Sequence, residues 1–259
     1  MKRLVNRIAN AMGFGITRVV KDKRTIRSNA LSYHKTVTGN YYLPADANQD
    51  QIATAIRNNK IFDIEVYEIA KEFIKPGTTA LDVGSNFGQM AVLMSKLVGE
   101  NGTVHAFDAD DFVFDVLQKN INENAANIKA HFGAVHDISK ETLYFPVQDF
   151  ERFSTYGSYG IDYVSGKGRP VKTITIDEIE FEHPVSFMKV DVQGGDLMAM
   201  KGAVKTIEKY RMPILFEYEY LFEKELNLNF QDYVDFVRSI NYKFARVING
   251  QNYLIVPVQ

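Results

Sequence analysis

The stretch Ala80-Leu81-Asp82-Val83-Gly84-Ser85-Asn86-Phe87-Gly88 decides how this chain folds. Thr79 to Val83 is a run of buried-strand type, and the glycines fall where that strand must turn into the amphipathic stretch Gln89 to Val98. A side chain at Gly84 or Gly88 would stand in the way of a nucleoside, so both positions let the backbone approach a ligand closely. Asp82, at the strand end, can accept from an ammonium group or hold the loop through backbone N–H groups. The spacing G-x-N-x-G differs from the G-x-G-x-x-G of dinucleotide sites and argues against pyrophosphate binding. The plainer reading is a glycine turn that only permits strand-to-helix packing.

Outward from this turn, short β-branched runs alternate with helical stretches, the pattern of a parallel sheet wound with helices. The second strand is read at Thr103 to Phe107. A helix follows with Phe112, Val113, Val116, Leu117 and Ile121 on its inner stripe, ending near Asn124, and Lys129 to Ala134 is the third strand. Phe187 to Val192, a helix from Leu197 to Lys209, Met212 to Tyr218 and a helix from Phe230 to Ile240 continue the series. Tyr242 to Ile248 and Tyr253 to Val258 flank Asn249-Gly250, a tight hairpin signal. The expected fold is therefore α/β, a doubly wound and mostly parallel sheet closing in a C-terminal antiparallel hairpin.

Two segments break the rhythm. Residues 28–76 read as a mostly helical preface, with a helix from Ile61 to Ile74 whose stripe Ile61, Ile64, Tyr67, Ile69 and Phe73 packs on the sheet's first helix. Residues 137–177 form an insertion rich in Tyr, Phe, Ser and Gly, long enough to suggest function. The expected division is a basic leader and helical extension over residues 1–60, then a catalytic-type domain over 61–259 that carries the insertion on its acceptor side.

Composition narrows the classes. The 259 residues are 46% hydrophobic with a net charge of −2, too apolar for disorder and too neutral for nucleic-acid binding by the whole chain. The absence of cysteine excludes disulfides, thiolate catalysis and sulfur-ligated metals. No apolar run approaches the length of a spanning helix, and the expected location is cytoplasmic. The first 27 residues carry eight basic side chains against Asp22 alone. Leu4, Val5, Ile8 and Met12 lie near helical spacing there, so a weak contact with an anionic membrane surface is the functional reading and a solvated leader the plain one.

Asp108 ends the second strand 24 residues after Gly84, the offset at which an acid holds ribose hydroxyls, although it could equally cap the next helix. Ala109 adjoins it, and Asp110 reads as a cap or a solvated neighbour. Gly133 and Ala134 offer a small-residue shelf for an adenine ring. His136-Asp137 reads as a loop pair.

The fourth strand exits as Lys189-Val190-Asp191-Val192-Gln193-Gly194-Gly195-Asp196, and the following helix closes on Met200-Lys201-Gly202-Ala203. This pattern resembles the FkbM family of S-adenosylmethionine-dependent methyltransferases, whose members read K-x-D-V-E-G-A-E followed by L-K-G-A. The similarity runs over roughly residues 40–220, from Asn40-Tyr41-Tyr42-Leu43-Pro44 through Asp82, Gly84, Asn86, Gly88, Asn120-Ile121 and Asn124 to Pro213 and Glu217.

The resemblance implies a class I methyltransferase (Rossmann-like) fold with S-adenosylmethionine over the carboxyl ends of the first three strands. It implies Asp82, Gly84, Ser85, Asn86 and Gly88 as the cofactor loop, Asp108 as the ribose acid, and Asp191 facing both cofactor and methyl-transfer site. Three positions depart from the pattern. Asp108 stands where Glu is common, Gln193 where Glu is usual, and Gly195-Asp196 in place of Ala-Glu. If the Glu replaced by Gln193 were the proton acceptor, that duty would fall to Asp191 or Asp196.

The expected activity is O-methylation of a small-molecule or glycan acceptor, a sugar or natural-product-like hydroxyl, without nucleic acid. Asp191 is the base or orienter, with Asp196 and Glu217 as its neighbours, and no metal ligand set is assigned. The tyrosines of residues 144–163 are read as the acceptor wall. A non-catalytic cofactor-binding protein, suggested by Gln193, and a nicotinamide-dependent oxidoreductase are the competing readings.

Overall fold

A computed structural model of the protein describes residues 29–124 and 126–259. The basic stretch over residues 1–27, with its expected helix and membrane contact, lies outside them. The first element is a hairpin of β1 (Leu31–Lys35) and β2 (Asn40–Pro44). Here the expected helical preface is corrected. Tyr41 and Leu43 alternate inward and are fully buried, a period of two that suits a strand with one covered face. Helix begins only at α1 (Gln51–Arg57) and α2 (Ile64–Phe73). Of the anticipated stripe Ile69 is buried and Phe73 packs on the core, but Val66 and Ala70 complete the buried face and Ile64 is 41% exposed, the helix starting three residues late, after Asp63.

The wound sheet follows as β3 (Thr79–Val83), α3 (Gln89–Val98), β4 (Thr103–Asp108), α4 (Asp111–Glu123) and β5 (Ile128–Phe132). The expected third strand ends early. Past Gly133 the chain leaves the large sheet as β6 (Ala134–Val135), which joins β7 (Thr142–Phe145) and β8 (Arg169–Ile174) in a separate three-stranded sheet of order β6-β8-β7. The aromatic insertion is thus partly sheet, anchored at both ends.

The main sheet resumes with β9 (Val185–Val190), α5 (Asp196–Lys201), α6 (Val204–Tyr210) and β10 (Ile214–Glu217). The single helix expected over residues 197–209 is two, since Gly202 and Ala203 leave helical geometry at ψ 0 and 11, and Gly202 lies where a Cβ would be 2.1 Å from the His136 carbonyl oxygen. After α7 (Glu223–Leu226) and α8 (Phe230–Ser239), the latter opened by an Asn229 capping box, β11 (Tyr242–Ile248) and β12 (Asn252–Pro257) form the expected hairpin. Asn249 and Gly250 both adopt positive φ, as a two-residue turn of that twist requires.

Seven strands lie in the order β11-β12-β10-β9-β3-β4-β5, with β12 antiparallel to its neighbours β10 and β11 and β3, β4, β5, β9 and β10 parallel. Alternation along the strands fills two layers. Leu81, Val83, Met188 and Val190 face α5, α6 and α8, whereas Ala80, Ala106 and Phe187 face α2, α3 and α4. Strand order reverses between β3 and β9, so a crevice opens beyond their carboxyl ends, where open α/β sheets take ligands. Among the described residues no helix is long and apolar enough to cross a membrane.

Candidate functional site

A cavity of about 350 Å3 occupies that crevice. Its floor is the turn after β3. The Gly84 and Ser85 N–H groups both donate to the Phe107 carbonyl, and the Ser85 hydroxyl donates to the Asp82 carbonyl at 2.7 Å and accepts from Phe107 N–H at 3.2 Å. Gly84 lines the cavity, with φ +84. A Cβ there would lie 1.8 Å from the Asp191 carbonyl oxygen, so internal packing of β3 against the β9 exit already demands glycine. Gly88, expected to make room for a ligand, is not on the wall. Its φ is +85, and a Cβ would meet Leu117 of α4 at 2.6 Å.

At one end of the cavity stand Asp108 and Ala109, with Gly133 and Ala134 of the adjacent strand exit beside them, the Gly133 N–H donating to the Asp108 carbonyl at 3.0 Å. Asp108 Oδ2 accepts the Asn86 N–H at 2.9 Å and Oδ1 accepts the Asp110 N–H at 3.0 Å. Burial pushes the Asp108 carboxyl up to about 7, against the pull of those two backbone bonds. Each oxygen keeps a lone pair for a further donor. Capping of α4 falls to Asp110, which accepts from Phe112 and Val113 N–H and pairs with Arg169 at 3.0 Å, leaving Asp108 free of that duty. His136 Nδ1 lies 2.7 Å from Asp137 Oδ1 in the loop after β6.

At the other end a charged network gathers. The Gln193 amide donates to Asp191 Oδ1 at 2.9 Å and to Glu217 Oε2 at 3.0 Å. Lys189 Nζ lies 3.4 Å from Asp191 Oδ2 and 3.4 Å from Asp82 Oδ1, and donates to the Gly84 carbonyl at 3.0 Å. Burial works against the Lys189 charge, and Asp191, Asp82 and Asp63 outweigh it, holding the ammonium above the usual lysine range. Burial, then the Asp191 charge, hold the Glu217 carboxyl far above the ordinary carboxylate range.

Besides Gly88, two expected site residues, Asp82 and Asp196, are not brought to the cavity. Asp82 is fully buried, because in β3 it points under the turn, in register with Lys189 of β9. Its oxygens have no hydrogen-bond partner of good geometry, and burial raises its pKa against the opposing charge of Lys189. Asp196 begins α5 and is 1% exposed, facing inward beneath the exit loop rather than across the cavity. Burial, then Asp191, push its carboxyl up to about 8.

Three charged wall residues were not proposed for the site from the sequence. Lys189 was legible as a cation inside a buried strand whose neighbours are acids. Glu219 follows Glu217 by the strand period of two; burial and Asp191 push it up to about 7, and its buried Oε2 lacks a partner. Asp63 belongs to no motif, and only the fold brings it to the wall, where burial and Asp191 push its carboxyl up to about 6 against the pull of Lys189.

The aromatic insertion divides in two. Phe145, Tyr156, Tyr159 and Tyr163 reach the cavity wall, whereas Phe150 and Phe153 pack against Tyr159. Asp50 anchors this segment, since its Oδ1 caps α1 through Ala53 N–H and its Oδ2 accepts from Thr155 Oγ1 and Tyr156 N–H. The turn of the C-terminal hairpin, through Asn249, Gln251 and Asn252, completes the rim.

The methyltransferase FkbM domain matches residues 82–244 of the chain. Among solved structures, the methyltransferase FkbM from Methylobacillus flagellatus is similar at 14% identity, with 98% of this chain and 70% of that one covered and a TM-score of 0.47. An S-adenosylmethionine-dependent methyltransferase from Aquifex aeolicus is similar at 16% identity over 75% of this chain and 88% of that one, with a TM-score of 0.40. An S-adenosylmethionine-dependent O-methyltransferase from Thermotoga maritima gives 12%, 88%, 78% and 0.43 in the same order. No curated protein matches the chain.

Proposed function

The chain belongs to the FkbM methyltransferase family, and from that premise we propose that it transfers the methyl group of S-adenosylmethionine to a hydroxyl of a sugar, glycan or natural-product-like acceptor. The observation that carries this reading is a single cavity with Asp108 at one end, the Asp191–Gln193–Glu217 network at the other, and the Gly84 turn between them.

The residues suit the cofactor. Asp108 retains acceptor capacity for two ribose hydroxyls, and charge-assisted bonds of that kind contribute about 1.5–3 kcal/mol each. Gly133 and Ala134 make the shelf for the base. When bound, S-adenosylmethionine supplies an electrophilic methyl on a sulfonium, open to in-line displacement. The chain's own contribution is alignment, a dry pocket and proton handling. Asp191, held at one oxygen by the Gln193 amide and at the other by the Lys189 ammonium, orients the acceptor hydroxyl and takes its proton. Glu217, whose carboxyl is biased toward its protonated form by burial and then by the Asp191 charge, stands beside it to donate a hydrogen bond to the acceptor. Tyr163, whose hydroxyl lies against Gly195 of the exit loop, walls the acceptor side, whereas Tyr156 packs with Phe87 and Phe112 toward the Asp108 end.

Calorimetry with S-adenosylmethionine and NAD, followed by S-adenosylhomocysteine release over a panel of hydroxylated acceptors, tests this. The expected result is binding of the sulfonium nucleoside alone. With an accepted substrate, Asp191→Asn should keep cofactor affinity and lose about 10²–10⁴ in turnover. Unchanged turnover would remove Asp191 from the base role. Binding without release across the panel would favour a non-catalytic cofactor-binding protein.

A further inference from the structure

Among the described residues four helices have Asp or Asn at the N-cap. Asp50 accepts from Ala53 N–H, Asp110 from Phe112 and Val113 N–H, and Asn229 from Gln231 N–H. Asp63, at the start of α2, differs: it makes no side-chain capping bond, and its backbone is left-handed at φ 51 and ψ 56. Aspartate tolerates left-handed φ, and what sets Asp63 apart is that its carboxylate is turned away from the helix N–H groups that the other three caps bind. The Asp63 side chain lies on the cavity wall with Gly84, Lys189 and Asp191.

The segment before it is strapped in place. Gln89, buried at the start of α3, accepts the Phe62 N–H at Oε1 and donates from Nε2 to the Lys60 carbonyl at 2.8 Å. The carboxylate so positioned has Asp191 as a like-charged neighbour, and the nearby cation Lys189 is already shared between Asp82, Asp191 and the Gly84 carbonyl. An acid held off its cap, beside another acid, is stabilised by a cation brought from outside.

We infer that Asp63 is the anionic anchor for the ammonium group at the amino-acid end of the cofactor, a reading that rests on the function proposed above. With the ribose at Asp108, the amino-acid end runs along the Gly84 turn toward the Lys189–Asp191 side, where Asp63 stands. Asp63 thus supplies from outside the glycine turn a charge that Asp82, buried beneath it, does not present.

Calorimetry with two probes isolates this contact. S-adenosylhomocysteine carries the ammonium without a sulfonium charge, whereas 5′-methylthioadenosine keeps the nucleoside and lacks the amino-acid end. Asparagine adopts left-handed φ readily, so Asp63→Asn keeps the backbone, and Asp63→Gly is a second variant compatible with that φ. In both variants S-adenosylhomocysteine should bind roughly ten- to a hundredfold more weakly and 5′-methylthioadenosine within about twofold of the parent. Equal weakening of both probes, or no change in either, would overturn the assignment. So would a loss seen with S-adenosylmethionine but not with S-adenosylhomocysteine, which would assign Asp63 to the sulfonium. Failure of the unmutated protein to bind either probe would instead overturn the cofactor reading, and this inference with it.

Discussion

Asp108 shows how one residue's surroundings set its use. Burial alone would favour its neutral form, while N–H groups from Asn86 and Asp110 favour the carboxylate, and the balance falls at about 7. Accepting two ribose hydroxyls requires the ionised form, so ligand binding favours deprotonation, and affinity is full above that value and lost as pH falls through it. The affinity for 5′-methylthioadenosine should be level above about pH 8 and weaker by roughly tenfold at pH 6, as binding that requires one deprotonation dictates. Asp108→Asn should bind weakly with no such dependence. A flat profile in the unmutated protein would contradict the role. Asp108 was legible from its offset after Gly84, and Asp191 and Glu217 from their places in the FkbM-like pattern at the exits of two strands. Asp63 was not, since its place on the wall depends on a backbone conformation and a Gln89 strap between segments distant in sequence.

Among the elements, the strands and helices of the wound sheet were readable because each buries a face at its own period. The opening hairpin was misread as helix, although Tyr41 and Leu43 alternate with more exposed residues, because much of its pairing comes from elsewhere. Helix α4 reaches β2 with two carboxamides one turn apart. Asn120 accepts from Tyr42 N–H at 2.6 Å and donates to the Tyr42 carbonyl, while Asn124 does the same for Asn40. The two side chains act as a stretch of neighbouring strand, and Asn120 also donates to the Phe87 carbonyl beside the glycine turn. Asn120→Ala leaves three buried or half-buried backbone groups without their partner and should cost about 2–4 kcal/mol in denaturant unfolding. A loss under about 0.5 kcal/mol would mean that Tyr41 and Leu43 alone hold the hairpin. The insertion was legible as a wall only in part, because which aromatic rings face the cavity is settled by the β6-β8-β7 sheet and by Asp50.

At the scale of the whole molecule, the site exists because strand order turns around between β3 and β9. The reversal leaves a crevice that no crossover helix fills. Helices on both faces make the sheet rigid, and the segments bordering the crevice, from the Asp63 loop, the insertion and the C-terminal hairpin, supply its walls. Acids from several of them converge on a cavity whose one lining ammonium among the described residues, Lys189, is spent holding the floor. That charge balance suits a cationic nucleoside better than a pyrophosphate. A crystal structure of the protein with S-adenosylhomocysteine tests this most directly. It should show the ribose hydroxyls within hydrogen-bond distance of Asp108 and the amino-acid end beside Gly84, and a cavity left empty or a ligand seated elsewhere would contradict the account.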